Sequence, residues 1–170
     1  MKVDVKLDGL NGVLAALKSL PPEVVSKNGG PVRAALRKGA VIIRNQARIN
    51  LAASIAADGK SGITDSTGET VKGVIIRRSK PPKGIKGERF VVTVAYKPHS
   101  TSKGIFRGRT IHLNDIAFIL ESGTSTMPAQ PWMLPAFNAK APTALAEVER
   151  ELPKAILRIA KKHGLQVMGL

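Results

Sequence analysis

The chain has no cysteine, which excludes disulfides and thiolate metal sites. Aromatic residues amount to 4%, so the core has to be aliphatic, built from Val, Ile, Leu and Ala. It contains no run of about 18 apolar residues, and no membrane span is expected. The first ten residues, MKVDVKLDGL, alternate charge with apolar side chains and lack the apolar centre of a signal peptide. Acidic residues are scarce. Against 27 Lys and Arg stand 12 Asp and Glu, a net +15. Such a field favours polyanions, acidic protein surfaces or anionic membranes without choosing among them. Hydrophobic residues make up 43% of the 170 positions, enough to bury a core and to argue against global disorder. The length suits one domain.

The positive charge is concentrated. Residues 72–109 hold 11 basic and one acidic side chain, a net +10, whereas 110–151 hold 2 basic and 5 acidic, a net −3. The flanking stretches 1–71 and 152–170 each carry +4.

Along the chain, Val3, Val5 and Leu7 share one face of an alternating stretch, which reads as a short strand or an extended arm over 1–7. Asp8 can cap a helix from about 9 to 20, ended by Pro21-Pro22. The strongest helical signal runs over 31–56, where Val32, Leu36, Gly39, Ala40, Ile43, Ala47 and Leu51 recur at three- and four-residue steps. Arg33, Arg37, Arg44 and Arg48 form a second stripe roughly 100° round the same helix. That stripe is either a solvated face or a contact for an acidic partner. A polar loop is expected over 57–70. Two strand-like runs follow, 71–79 and 88–96, joined by a basic connection over 80–87. A second basic loop spans 97–109. Asp115–Glu121 is a short apolar run, either a helical turn or a strand, and 122–131 reads as loop. A short helix is expected over 132–138. A final helix should start near Pro142 and run to 163, with Leu145, Val148, Leu152, Ile156 and Ile159 inward and Pro153 kinking or splitting it.

Tests for chemistry fail on stated requirements. Gly59-Lys60-Ser61 resembles the end of a phosphate-binding loop, but Ser54 stands where the first glycine is needed and a helix precedes it instead of a strand. His99, His112 and His163 lack metal-ligand spacing. Glu147, Glu149 and Glu151 share an amphipathic helix, where solvation is the default. Ser122-Gly123-Thr124 lacks the strand–elbow–helix setting of a hydrolase nucleophile. No general acid–base pair or activated nucleophile emerges, and neither catalysis, cofactor nor metal is expected. The basic loops carry more weight. Arg77, Arg78, Lys80, Lys83 and Lys86 cluster in one, and Lys97, Lys103, Arg107 and Arg109 in the next. They suit phosphate contact through counterion release, or contact with an acidic protein surface, or solvation. With only Phe90, Tyr96 and Phe106 interleaved, sequence-specific readout of nucleic acid is unsupported.

The stretch Phe118-Ile-Leu-Glu-Ser-Gly-Thr-Ser-Thr-Met-Pro-Ala-Gln-Pro-Trp-Met-Leu-Pro-Ala-Phe137 resembles the hallmark of the tail-completion, or head–tail joining, proteins of long-tailed bacteriophages. Members read as an apolar run ending in Glu, then Gly-Thr-Ser, a Met-Pro-Ala-x-Pro turn, an aromatic residue and a Pro-Ala-Phe helix start. Glu121, Gly123, Thr124, Ser125, Met127, Pro128, Ala129, Pro131, Trp132, Pro135, Ala136 and Phe137 match. Leu7, Gly9 and Leu10, the Ala/Arg-rich helix over 31–56, Thr67-Gly68 and a C-terminal helix follow the family's order, so the resemblance covers about 5–162. Two features depart from it: Glu69-Thr70-Val71 replaces a Leu-rich continuation, and 97–114 is longer than usual.

The fold expected is α+β: an antiparallel sheet with a long helix and a C-terminal helix packed on it. The resemblance implies a structural virion protein, assembled in the host cytoplasm, that completes the head-proximal end of a tail and joins it to the capsid. Its partners would be further copies in a ring, a hexamer as the working number, together with tail terminator or tail tube proteins and connector proteins, with non-specific contact to DNA in the channel. No membrane is involved in that reading. The alternative is a cellular nucleic-acid-binding protein using the basic loops for phosphate contacts. Met127, Trp132, Met133 and Phe137 are apolar groups that either cover the core or anchor a neighbour.

Overall fold

The computed structural model describes residues 3–4, 30–57, 68–84, 88–99, 111–162 and 167–168. Over these the chain is α+β, with the elements β1 (Val3–Asp4), α1 (Gly30–Ala57), α2 (Glu69–Lys72), β2 (Val74–Ser79), β3 (Arg89–Val94), α3 (Leu113–Ser122), α4 (Met133–Lys162) and β4 (Val167–Met168). β2 and β3 form an antiparallel two-stranded sheet. β1 and β4 pair in parallel, Val3 with Val167 and Asp4 with Met168. The helix expected over 9–20 lies outside the described residues, as does the strand or arm over 1–7 apart from β1.

Two compact units divide the chain, one of Met1–Ala40, Arg78–Phe90 and Pro142–Leu170, the other of Val41–Arg77 and Val91–Ala141. The second holds the aliphatic core. Ala47 and Leu51 of α1, Val74 of β2, Val94 of β3, Leu113, Ile116, Ala117 and Leu120 of α3, and Ala136 of α4 are buried together with Met127 and Trp132. The 31–56 periodicity therefore predicts both the extent of α1 and the positions, Ala47 and Leu51, that enter this core. Arg48 ties α1 to the start of β2. Its guanidinium donates to the Val74 carbonyl from Nε (3.2 Å) and Nη2 (2.8 Å), and to the Lys72 carbonyl (3.0 Å). An arginine fork satisfying strand-end carbonyls is neither of the two roles expected for the arginine stripe.

In the first unit α1 and α4 meet through small residues. Ala35 and Ala144 are buried. A Cβ at Gly39 would stand 2.7 Å from Val148 Cγ2 and 2.9 Å from the Ala144 carbonyl oxygen, so only a glycine lets the backbones come this close. We expect Gly39→Val to cost about 1–3 kcal/mol, since overpacking of that size is not offset by valine's better helix propensity. Urea unfolding of the purified variant measures it, and a loss under 1 kcal/mol would refute the close approach.

Charge closes the same contact. Glu151 is 8% exposed. Lys38 of α1 bonds it directly, and Lys154 and Arg150 approach to 3.3 Å. Arg33 (3.1 Å) and Arg78 (2.8 Å) share Glu88 in the same unit. The Lys38 hydrogen bond holds the Glu151 carboxyl below its ordinary value of 4.5, and the Arg78 hydrogen bond does the same for Glu88. Lowered carboxylate values mean that the folded chain binds fewer protons than the unfolded one. Their contribution is complete above pH 4.5 and lost as pH falls below it. A denaturation midpoint that falls on acidification below pH 4.5, and falls less in Glu151→Gln, is the expected result.

Several boundaries differ from those read in the sequence. Residues 69–72 form α2, where loop and strand were expected, because Gly68 takes a left-handed conformation (φ 67°, ψ 17°) that turns the chain into a helical turn before β2. The short apolar run is helical and becomes α3. Residues 133–162 form one helix where two were expected, and Pro142 and Pro153 lie inside it. Each proline removes one backbone hydrogen bond, and burial of Ala136, Ala144, Leu152 and Ile156 along the helix offsets that loss. Two side chains also differ: Leu145 is 53% exposed where it was expected inward, and Glu151 is buried where a solvated face was expected.

Candidate functional site

The 118–137 motif folds as a loop tied between α3 and α4. The α3 helix begins at His112, whose backbone N–H donates to Asp115 Oδ2 (3.0 Å). It ends at Gly123, with φ 71° and ψ −175°, a combination open essentially only to glycine. Gly123 N–H donates to the Ile119 carbonyl at 2.7 Å. Thr124 then closes a tight turn: its N–H donates to the Met127 carbonyl (2.8 Å), and its Oγ1 accepts from Met127 N–H (3.0 Å) and Thr126 N–H (3.3 Å). Gln130 N–H returns to the Leu120 carbonyl at 2.7 Å. The motif's Gly-Thr is therefore demanded by one backbone path.

Glu121 has the most specific task. The first N–H groups of a helix have no partner within it, and a carboxylate suits the positive end of the helix dipole. Glu121 Oε2 accepts from Trp132 N–H (2.7 Å) and Met133 N–H (2.8 Å), and Oε1 from Leu134 N–H (3.2 Å). The carboxylate of α3 thus caps the start of α4. Asn50 Nδ2 and Ser54 Oγ on α1 add bonds to the carbonyls of Trp132 (3.1 Å) and Gln130 (3.3 Å). Glu121→Ala removes three charge-assisted bonds, and we expect a loss of about 2–4 kcal/mol, with Glu121→Gln losing less. Equal unfolding midpoints for wild type and Glu121→Ala would refute the capping role.

Burial divides the motif's apolar residues. Met127 and Trp132 belong to the core, and Trp132 Nε1 donates to the Ala117 carbonyl at 2.9 Å. Phe118, Leu134 and Phe137 are exposed, as are Pro128 and Pro131. Of the groups able to cover the core or anchor a neighbour, Met127 and Trp132 do the first and Phe137 is free for the second. A groove of about 410 Å³ lies beside the motif. Val92 and Val94 of β3 line it, with Phe118 and Ile119 of α3 and Trp132 and Met133 of α4. Among the described residues its charged lining groups, Asp115 and Glu121, are both acidic.

The basic loops are partly described. Arg77, Lys80 and Lys83 are exposed, and Arg78 is exposed but paired with Glu88. Lys86, Lys103, Arg107 and Arg109 lie outside the described residues. The base of the second loop is closed by an antiparallel bridge between Pro98 and His112, with His99 N–H on the Ile111 carbonyl (3.0 Å) and Leu113 N–H on the Lys97 carbonyl (2.9 Å). Tyr96 stacks on His112 with ring centroids 3.9 Å apart.

Sequence reasoning found the motif but not its internal duties. It also missed the roles of Arg48, Asp115 and Lys38. The spacing of Asp115 three residues after His112 was a legible signal, being that of a capping carboxylate. No group of three metal-ligating side chains occurs among the described residues. No family model matches the chain, and neither a curated protein nor a solved structure matches it.

Proposed function

We propose that this chain is a structural protein of a long-tailed phage virion that completes the head-proximal end of the tail and joins it to the capsid as a ring of identical copies, without catalysis. The observation that carries the reading is the internal consistency of the 118–137 motif. Glu121, Gly123, Thr124 and Trp132, the residues that spell the resemblance, each hold the same turn. The residues that carry the resemblance are thus ones that a single local structure requires together, which supports reading them as one motif. The exposed Phe118, Leu134 and Phe137 supply apolar surface of the kind an assembly covers. Native mass spectrometry and electron microscopy of the purified chain, alone and mixed with phage tails, test it. Rings at the head-proximal tail end are the expected result. A monomer at every concentration that leaves tails undecorated overturns the reading.

A second reading, phosphate binding, is favoured by the exposed Arg77, Lys80 and Lys83, which have no carboxylate partner among the described residues. It requires binding of free DNA or RNA that weakens steeply with salt, on the order of one unit of log–log slope per phosphate neutralised.

A further inference from the structure

We propose that the groove beside α3 receives the β2–β3 turn of a second copy of this chain, so that Lys80 and Lys83 of one copy seat along Phe118 and Asp115 of the next. This rests on the ring reading and names its contact. A cyclic assembly of identical subunits is heterologous and needs two different surfaces that fit each other. The chain carries such a pair in its charge. Residues 72–109 hold a net +10 and 110–151 a net −3. Of the five carboxylates in the second stretch, Asp115 and Glu121 line the groove, and the turn belongs to the first.

The chemistry of the groove selects the occupant. Its walls are mostly apolar, and its charged lining groups among the described residues are carboxylates. Glu121 is taken up by the first turn of α4. The Asp115 side chain is 48% exposed, and among the described residues its polar contacts are the His112 backbone N–H and the His112 ring, at 3.5 Å. Phe118 is 68% exposed, an unfavourable state for a large aromatic group unless something covers it. A phosphate backbone is repelled by these carboxylates, and so is an acidic peptide. A lysine fits both features: its methylene stem lies along apolar surface while its ammonium reaches a carboxylate. The turn Lys80-Pro81-Pro82-Lys83-Gly84 presents two lysines, both exposed. Its two prolines fix φ, which lowers the entropy lost on docking.

A charge exchange tests the contact. Lys80→Glu/Lys83→Glu alters the turn and Phe118→Lys alters the groove. All three positions are exposed, and thermal melting of each variant checks that it folds. Self-association is read by mass photometry and native mass spectrometry at fixed salt. Each variant alone is expected to weaken self-association at least tenfold. An equimolar mixture should recover it, because the acidic turn of one variant meets the Lys-bearing groove of the other, while the unaltered turn meets the unaltered groove. Native masses should then show the two variants in equal numbers. If wild type assembles and the folded variants assemble equally well, or the mixture fails to recover, the contact is overturned and the ring reading stands. If wild type itself stays monomeric, alone and with tails, the ring reading falls and takes the contact with it.

Discussion

Trp132→Ala is expected to lower the unfolding free energy by about 3–5 kcal/mol, the range for truncating a large aromatic group in a core. For a chain of this size that corresponds to a midpoint lower by roughly 10 °C, at about 2–4 °C per kcal/mol. The indole sits between α3 and the start of α4 in the core cluster, and its one polar atom is satisfied by the Ala117 carbonyl. Trp132→Phe separates the two contributions. It keeps an aromatic ring and loses the hydrogen bond, and should cost about 1–2 kcal/mol. The pair also distinguishes two roles for the residue. A tryptophan acting as an intersubunit anchor would leave the stability of the isolated chain unchanged on truncation and weaken assembly instead. Urea unfolding of both variants at a concentration where the chain is monomeric decides between them, and a change below 1 kcal/mol for Trp132→Ala would remove Trp132 from the core.

Phe118, Leu134 and Phe137 give the opposite expectation. They are exposed, so their replacement by polar residues should leave unfolding nearly unchanged and act on assembly. The motif therefore has two layers. One, of Glu121, Gly123, Thr124, Met127 and Trp132, builds the turn. The other, of Phe118, Leu134 and Phe137, is displayed by it.

Periodicity made the long helix legible because one apolar stripe persists from Val32 to Leu51, about five turns, and Ala47 and Leu51 fall on it. The same criterion gave no decision for 115–121, where seven apolar-rich residues fit a strand or two helical turns equally well. What settles that segment is Asp115 on the His112 N–H and the burial of Ile116, Ala117 and Leu120 on one side. The single α4 helix was hidden for a related reason. Pro142 reads locally as the first residue of a new helix, and the burial of Ala136, Ala144, Leu152 and Ile156 that carries one helix through it is tertiary, which no local pattern contains. Charge was legible in amount and place but not in use. Arg33, Lys38, Arg48 and Arg78 all carry +1 in a count, yet Arg48 holds strand carbonyls and the other three hold Glu88 or Glu151. Pairings between residues 10 to 113 apart in sequence become visible only once the elements are placed.

Gly123→Ala is the second change expected to be severe, at about 3–5 kcal/mol, although it adds one methyl group. Two costs combine. With φ 71° and ψ −175° the backbone lies where an L-residue is strained by about 1–3 kcal/mol. The new Cβ would also stand 2.7 Å from Ala129 N and 2.8 Å from the Met127 carbonyl oxygen. Both are backbone atoms of the turn, so neither can swing aside as a side-chain tip would. Moving them disturbs the Thr124–Met127 pair and the Gln130–Leu120 bond, and with these the path that brings the α4 N-terminus to Glu121. Gly68→Ala is the matched control. Gly68 also has positive φ, 67°, but no atom lies within 4 Å of its Cβ position, so its replacement should cost only about 1–2 kcal/mol, the left-handed penalty alone. Similar losses at the two sites would mean that conformation, not the close approach, governs Gly123. The double variant Gly123→Ala/Glu121→Ala tests whether the turn and the cap act together. If the turn positions the cap, the two losses are not additive, because a displaced helix start has already lost the carboxylate. A summed loss equal to the separate losses would show that Gly123 and Glu121 act independently.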